Sequence, residues 1–379
     1  MKKIDILFAI HTNIKTGSGS EKALYYYLKY ADTSRFNITV LETNSIPGGQ
    51  RLNDTDLEVI RDKTRFIEIN DYESLLDSIR IKFLSEPLYV ILLPLLFKML
   101  RHTKTLKSLG KLDIVYLFHN NYSYLFTRSE IVVASNHSDF FTNSLMYEIK
   151  AKLISLHLLF PSVKAVHLFP HNMKMKKYFY NLPLFFLNNG VDTELYFPKE
   201  NSNEKLRMLF VGRLEPIKGI SMVLDVYRVL KTKIPVELII VGSGSLEGEV
   251  ENFSKSDGNV HYLKYVGEKD LAEIYRSCDI FLAPTQSDNY PLVVLEALSS
   301  GLKVVTTKVL YEAYKEFIAF DVIRFTDFDA TLLSQAVLEL AKTEIDKNVI
   351  HDYIAREYSW KMISERLFNS LSDLMGAKT

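Results

Sequence analysis

Short apolar runs separated by longer stretches of mixed polarity recur along this chain, and that rhythm predicts strands followed by helices. Residues 4–10 are almost wholly apolar, as a central strand of a parallel sheet is. Further strands are predicted at 36–43, 64–69, 112–117 and 131–135. The pattern restarts at 206–211 and continues through 237–241, 260–266, 280–283 and 303–306. A helix is predicted at 270–276, and amphipathic helices at 330–344 and 358–375. Strands alternating with helices twice over predict two βαβ-type units, and no repeat of short period intervenes.

One stretch organises the second unit. Residues 284–301 read PTQSDNYPLVVLEALSSG, directly after the predicted strand 280–283. Pro291 suits the first position of a helix, and Gly301 supplies its stop. A loop of this kind lies at a strand's carboxyl end, where open α/β sheets bind ligands. The helix start offers unpaired N–H groups to an anion or a sugar oxygen. Asp288 and Glu296 bracket that start, with seven residues between them. Helical side chains tilt toward the N-terminus, so Glu296 can reach back toward the loop. The competing reading is that Asp288 caps the helix and Glu296 favours its dipole.

Composition narrows the class. With 379 residues, 47% hydrophobic and 24% charged, the chain supports two domains with sizeable cores. Formal net charge is zero, which argues against nucleic acid as a partner. The single cysteine, Cys278, forbids an intrachain disulfide and makes a cytoplasmic location the simplest expectation. Cys278 reads as packing. The opening MKKIDILFAIH reads as a strand and not a signal peptide, and no uninterrupted apolar run reaches spanning length.

Other segments carry candidate chemistry. Gly17, Ser18 and Gly19 follow the first strand and precede a helix predicted to open at Glu21, so the backbone there can approach an anion. A flexible loop with a serine cap is the alternative. Residues 87–111 contain no acid; an apolar stretch is followed by Lys98, Arg101, Lys104 and Lys107 at intervals of three. Such a segment suits an anionic membrane surface, or equally a core helix followed by a solvated basic one. Pro94 divides it. Over 146–180, Lys150, Lys152, Lys164, Lys174, Lys176 and Lys177 with Tyr178, Phe179 and Tyr180 fit a membrane-facing edge or a solvated helix. His119 and His137 each follow a predicted strand end. In GRLEPIKGI, Arg213 and Lys218 are two cations at a strand end and a helix start, placed to hold an anion or simply solvated.

These motifs resemble the retaining glycosyltransferases of family GT4. Residues 288–296 are similar to the family's E-x7-E segment, with Asp288 in place of the first acid. Residues 212–219 are similar to its G-R-x-x-x-x-K-G segment. FFLNNGVDTELYFP is similar to the N-G-V-D-x-x-x-F-x-P junction, where Asp192 is a turn residue, and Trp360 to the start of the last helix. The resemblance implies the α/β GT-B fold: two Rossmann-like domains with an interdomain cleft. The expected domains are 1–195 on the acceptor side, 196–357 for the nucleotide sugar, and 358–379 as a helix packing back on the first. It implies that Arg213 and Lys218 hold the diphosphate, Glu296 the ribose, and Asp288 and His137 the sugar. Gly17, Ser18, Gly19, Gly212, Gly242, Val266, Asn289, Tyr290, Pro291 and Leu292 would complete the donor site. Gly242 and Gly244 would let backbone approach the nucleotide. No cofactor or metal is implied, because protein cations neutralise the diphosphate.

The expected function is a hexosyltransferase-like retaining transfer from a UDP- or GDP-sugar to a glycan or lipid-linked acceptor. The expected setting is peripheral, on the inner face of the cell membrane. The alternatives are a nucleotide-sugar epimerase or hydrolase of the same fold, or a non-catalytic protein that binds sugar nucleotides.

Overall fold

A computed structural model describes residues 2–10, 14, 19–43, 54–69, 109–118, 131–135, 163–171, 176–177, 179, 181–200, 203–288 and 290–376. The chain divides into two compact units: Met1–Asn188 with Lys361–Thr379, and Asn189–Trp360.

The first unit is built on a parallel sheet of seven strands. These are β1 (Ile4–Ala9), β2 (Phe36–Thr43), β3 (Thr64–Ile69), β4 (Ile114–Leu117), β5 (Ile131–Ser135), β6 (Val163–Leu168) and β7 (Leu184–Phe186), in the order β3-β2-β1-β4-β5-β6-β7. Residues 6–9 of β1, and all of β4 and β5, are buried, as strands covered on both faces must be. Helices α1 (Gly19–Lys29) and α2 (Asp54–Arg61) follow β1 and β2. The last helix of the chain also packs here: its Phe368 ring lies 4.9 Å from Phe36 and 6.2 Å from Phe8.

The sequence reading missed β6 and β7. Its basic, membrane-facing segment 146–180 contains β6, a core strand with Lys164 alone turned outward. Phe179, expected at an interface, is buried. Within β6, His167 Nδ1 meets the Tyr116 hydroxyl at 2.6 Å while Nε2 donates to the Leu187 carbonyl at 3.1 Å. Burial lowers the His167 imidazole to about 4, so it is neutral at ordinary pH. Of residues 87–111 only 109–111 are described, so the basic stripe lies outside the described residues. Among the described residues, no helix is long and apolar enough to cross a membrane.

The second unit carries a six-stranded parallel sheet ordered β10-β9-β8-β11-β12-β13. Its strands are β8 (Leu206–Val211), β9 (Val236–Val241), β10 (Val260–Leu263), β11 (Ile280–Ala283), β12 (Lys303–Thr307) and β13 (Ile323–Thr326). Its helices are α3 (Ile220–Leu230), α4 (Glu247–Ser256), α5 (Glu268–Arg276), α6 (Leu292–Ser299), α7 (Ala330–Ala341) and α8 (Lys347–Tyr358); α9 (Trp360–Gly376) ends the chain. Val223, Leu224 and Tyr227 of α3, Val250 of α4 and Leu333 and Val337 of α7 share one core with β8, β9 and β11. Helix α6 instead packs on α5 and α8. The sheet is therefore doubly wound. Its strand order reverses between β8 and β11, and a ligand crevice opens at such a switch point.

The junction is tied by backbone. Val191 donates to Tyr358 O at 2.8 Å, and Trp360 donates to Val191 O at 3.1 Å. A Cβ on Gly190 would lie 2.7 Å from the Trp360 ring, so the glycine is what admits the indole. Asp192 is a turn residue, accepting from the Glu194 and Leu195 amides at 3.2 Å each.

Candidate functional site

Two loops meet at the switch point of the second sheet. The first follows β8 and carries Gly212, Arg213, Glu215 and Lys218. The second follows β11 and runs from Pro284 to Pro291. The Gln286 amide donates to Ile217 O at 2.9 Å, and Thr285 Oγ1 donates to the same carbonyl at 3.2 Å. Gly219 sits at φ +77°, and a Cβ there would fall 2.0 Å from the Pro284 carbonyl oxygen. Only glycine permits both that conformation and that approach.

Lys218 and Asp288 form an ion pair across the two loops. Asp288 is thus engaged by Lys218, and the N-cap residue of α6 is Pro291, which makes no capping side-chain hydrogen bond. Pro291 therefore stands one position before the helix and not at its first residue. Arg213 is exposed on the same loop as Lys218.

Glu296 is buried, the fifth residue of α6, and the Tyr275 hydroxyl of α5 donates to its Oε2 at 3.2 Å. Burial, and then the Glu296 carboxylate, hold the Tyr275 hydroxyl protonated well above its ordinary range. A buried acid needs such donors to remain in place. Tyr290 faces inward: its ring lies 4.9 Å from that of Tyr314, and its carbonyl accepts from Asn189 Nδ2 at 3.2 Å. Its side chain is buried. Tyr314 donates to Pro291 O at 2.8 Å and so fixes the entry to α6. Leu292 and Pro291 are half-buried at that entry.

The glycines after β9 have a local task. Gly242 sits at φ +146°, and a Cβ would meet Gly212 O at 1.9 Å; at Gly244 it would meet Leu214 O at 2.6 Å. What these glycines visibly approach is the backbone of the loop after β8. Glu215 fastens the same contact, accepting from Ser245 N at 3.0 Å and Ser245 Oγ at 2.6 Å. Those bonds hold its carboxyl below the usual range. Gly212 itself is roomy, with nothing nearer than 3.6 Å to an added Cβ.

The structure thus brings Gly212, Arg213 and Lys218 to one loop, and Asp288, Pro291, Leu292 and Glu296 to the adjoining loop and the helix α6 that it feeds. Val266 lies apart in sequence, three residues beyond the end of β10, and is half-buried. Gly19 opens α1 in the first unit, two residues earlier than expected. Gly17, Ser18, His119, His137 and Asn289 lie outside the described residues. Tyr275, Tyr314, Glu215 and Thr285 were missed. Their sequence signal is slight, because the partners lie 21 to 68 residues away.

Comparison with known proteins fits this arrangement. Residues 192–357 match the family model described as glycosyl transferases group 1. A phosphatidyl-myo-inositol mannosyltransferase of Mycolicibacterium smegmatis is 26% identical over 208 residues, covering 50% of this chain and 52% of that protein. An uncharacterized glycosyltransferase of Haemophilus influenzae is 36% identical over 106 residues, covering 27% of this chain and 30% of that protein. The alignments thus span about half or less of these relatives. Among solved structures, a sucrose-phosphate synthase of Thermosynechococcus elongatus superposes with a TM-score of 0.72 at 13% identity, covering 99% of this chain and 100% of that one. Anabaena HepE, solved with UDP and glucose, superposes at 0.68 and 14% identity, covering 97% and 99%. Residues 192–357 are thus similar to the group 1 glycosyltransferases, and the two parallel, Rossmann-like units carry the GT-B fold.

Proposed function

We propose that the chain is a retaining glycosyltransferase that takes its sugar from a nucleoside diphosphate sugar, a UDP- or GDP-linked hexose. The observation that carries this is the meeting of Lys218, Asp288 and the entry to α6 at the switch point of the second sheet. In this reading Arg213 and Lys218 take the diphosphate, and Glu296, oriented by Tyr275, takes the ribose hydroxyls. Asp288 takes the sugar. As the glycosidic bond breaks, negative charge grows on the leaving phosphate, and two fixed cations stabilise that state more than the ground state. HepE, which shares the fold, was solved with UDP and glucose, and that supports a uridine nucleotide as the first donor to try.

A melting-temperature screen against UDP-, GDP- and ADP-sugars tests the donor class. Binding to the native state at a hundredfold excess over Kd is worth about 2.7 kcal/mol, so one sugar nucleotide should raise the melting temperature by several degrees. A flat response to all of them would remove this reading. Release of sugar without any acceptor, or its inversion, would favour the hydrolase or epimerase alternative.

The acceptor we propose is a lipid-linked glycan presented at an anionic membrane surface. Support comes from the acid-free segment 87–111 and from the mannosyltransferase relative, whose name includes a phosphatidyl lipid. The full chain is expected to sediment with phosphatidylglycerol-containing liposomes at low salt and to come off as salt rises. No sedimentation at low salt would sink the membrane-bound acceptor.

A further inference from the structure

Lys218 is already paired in this site. Its ammonium is engaged by Asp288, and both side chains remain about one-fifth exposed, at 21% and 20%. Contacts flank this carboxylate along the loop. Just before it, Thr285 Oγ1 bonds Ser287 O at 3.0 Å; just after it, the Tyr290 ring is sealed against Tyr314. Asp288 is thus presented to Lys218 by a loop fixed on both sides. The diphosphate of the proposed donor needs the same ammonium, which offers three N–H groups but a single charge.

We propose that Asp288 competes with the diphosphate for Lys218, and that this competition makes the site prefer an intact nucleotide sugar over the free nucleoside diphosphate. The inference rests on the function proposed above. Its basis is the charge count. One ammonium shared by a carboxylate and a diphosphate leaves excess negative charge, even with Arg213 on the same loop. A free nucleoside diphosphate draws Lys218 away and gives Asp288 nothing in return. An intact donor brings sugar hydroxyls, and these donate to the carboxylate that Lys218 has released. After transfer the sugar is gone, the donors are gone, and Asp288 reclaims Lys218. The pair thereby favours departure of the spent nucleotide. No covalent step is involved.

Calorimetric titration of UDP, GDP, UDP-glucose and GDP-mannose into wild type, Asp288→Asn and Asp288→Ala tests this. In both variants the nucleoside diphosphate that binds wild type should bind about three- to tenfold more tightly. The preference for the matching sugar nucleotide should fall by at least that factor. Unchanged or weaker binding of the nucleoside diphosphate in both variants, with wild-type binding intact, overturns the competition and leaves the donor assignment standing. Absence of binding by wild type to all four nucleotides overturns the donor assignment, and the competition with it.

Discussion

The Gly219→Ala variant is expected to melt roughly 6–12 °C below the wild type, with transfer activity falling further than stability alone explains. Two costs combine. The residue sits at φ +77°, a left-handed conformation that costs an L-residue roughly 1–2 kcal/mol. The added Cβ would also lie 2.0 Å from the carbonyl oxygen of Pro284, so backbone must move, at roughly 1–3 kcal/mol more. Because the displaced backbone is the contact between the two site loops, Lys218 and Asp288 lose their register together. Gly248→Ala is the control. Nothing lies within 4 Å of its added Cβ, and it stands inside α4. That change should be neutral or raise stability by about 0.5 kcal/mol. Differential scanning calorimetry on both variants checks the contrast. Equal melting of Gly219→Ala and wild type would show that the two loops do not meet as described.

The Lys218→Ala variant should keep its fold and lose its chemistry. The ion pair with Asp288 is partly exposed, so its loss costs at most about 1 kcal/mol and a few degrees of melting temperature. A cation that stabilises the departing diphosphate is worth far more. Removing one preorganised charge-stabilising group typically costs about 100- to 1,000-fold in turnover. Lys218→Arg should restore only part of this, because a planar fork does not replace a compact ammonium. Steady-state rates on the donor found in the melting screen, with folding checked by circular dichroism, measure the effect. A rate within about threefold of wild type would exclude the diphosphate role.

Much of this architecture was legible in the sequence, and what escaped has physical causes. Strands β2, β3, β5, β8 and β11 stand at the predicted positions; β5 and β11 are largely buried apolar runs, whereas β2 and β3 mix polar and apolar residues. Strand β7 escaped because three residues between Pro183 and Leu187 carry no periodicity. Strand β6 escaped because its lysine-rich surroundings suggested a surface. Helix α8 was missed although its signals were present. Ile350, Ile354 and Tyr358 form one buried stripe at helical spacing, and the Asp346 side chain accepts from the Asn348 and Val349 amides. The stripe is narrow and the rest polar, so the sequence reading predicts no helix there.

The site divides in the same way. Arg213, Lys218, Asp288 and Glu296 were visible because charges at a strand's carboxyl end stand out from their neighbours. Their supports were not. The bond from Tyr275 to Glu296 spans 21 positions, and that from Tyr314 to Pro291 spans 23. Such pairings follow from which helix crosses back beside which strand, and no local spacing records them. Glycine roles were only half readable. Sequence shows that Gly242 and Gly244 permit close approach; the fold shows that what approaches is the loop after β8.

The proposed function requires that the loops after β8 and β11 form one diphosphate site. The most direct measurement is titration of UDP and GDP into the wild-type chain and into Lys218→Ala at low salt. The account predicts a single saturable site in the wild type that weakens at least tenfold in the variant, a loss of about 1.4 kcal/mol or more. Equal affinity in the two proteins would contradict it, because the nucleotide would then be held somewhere that Lys218 does not reach.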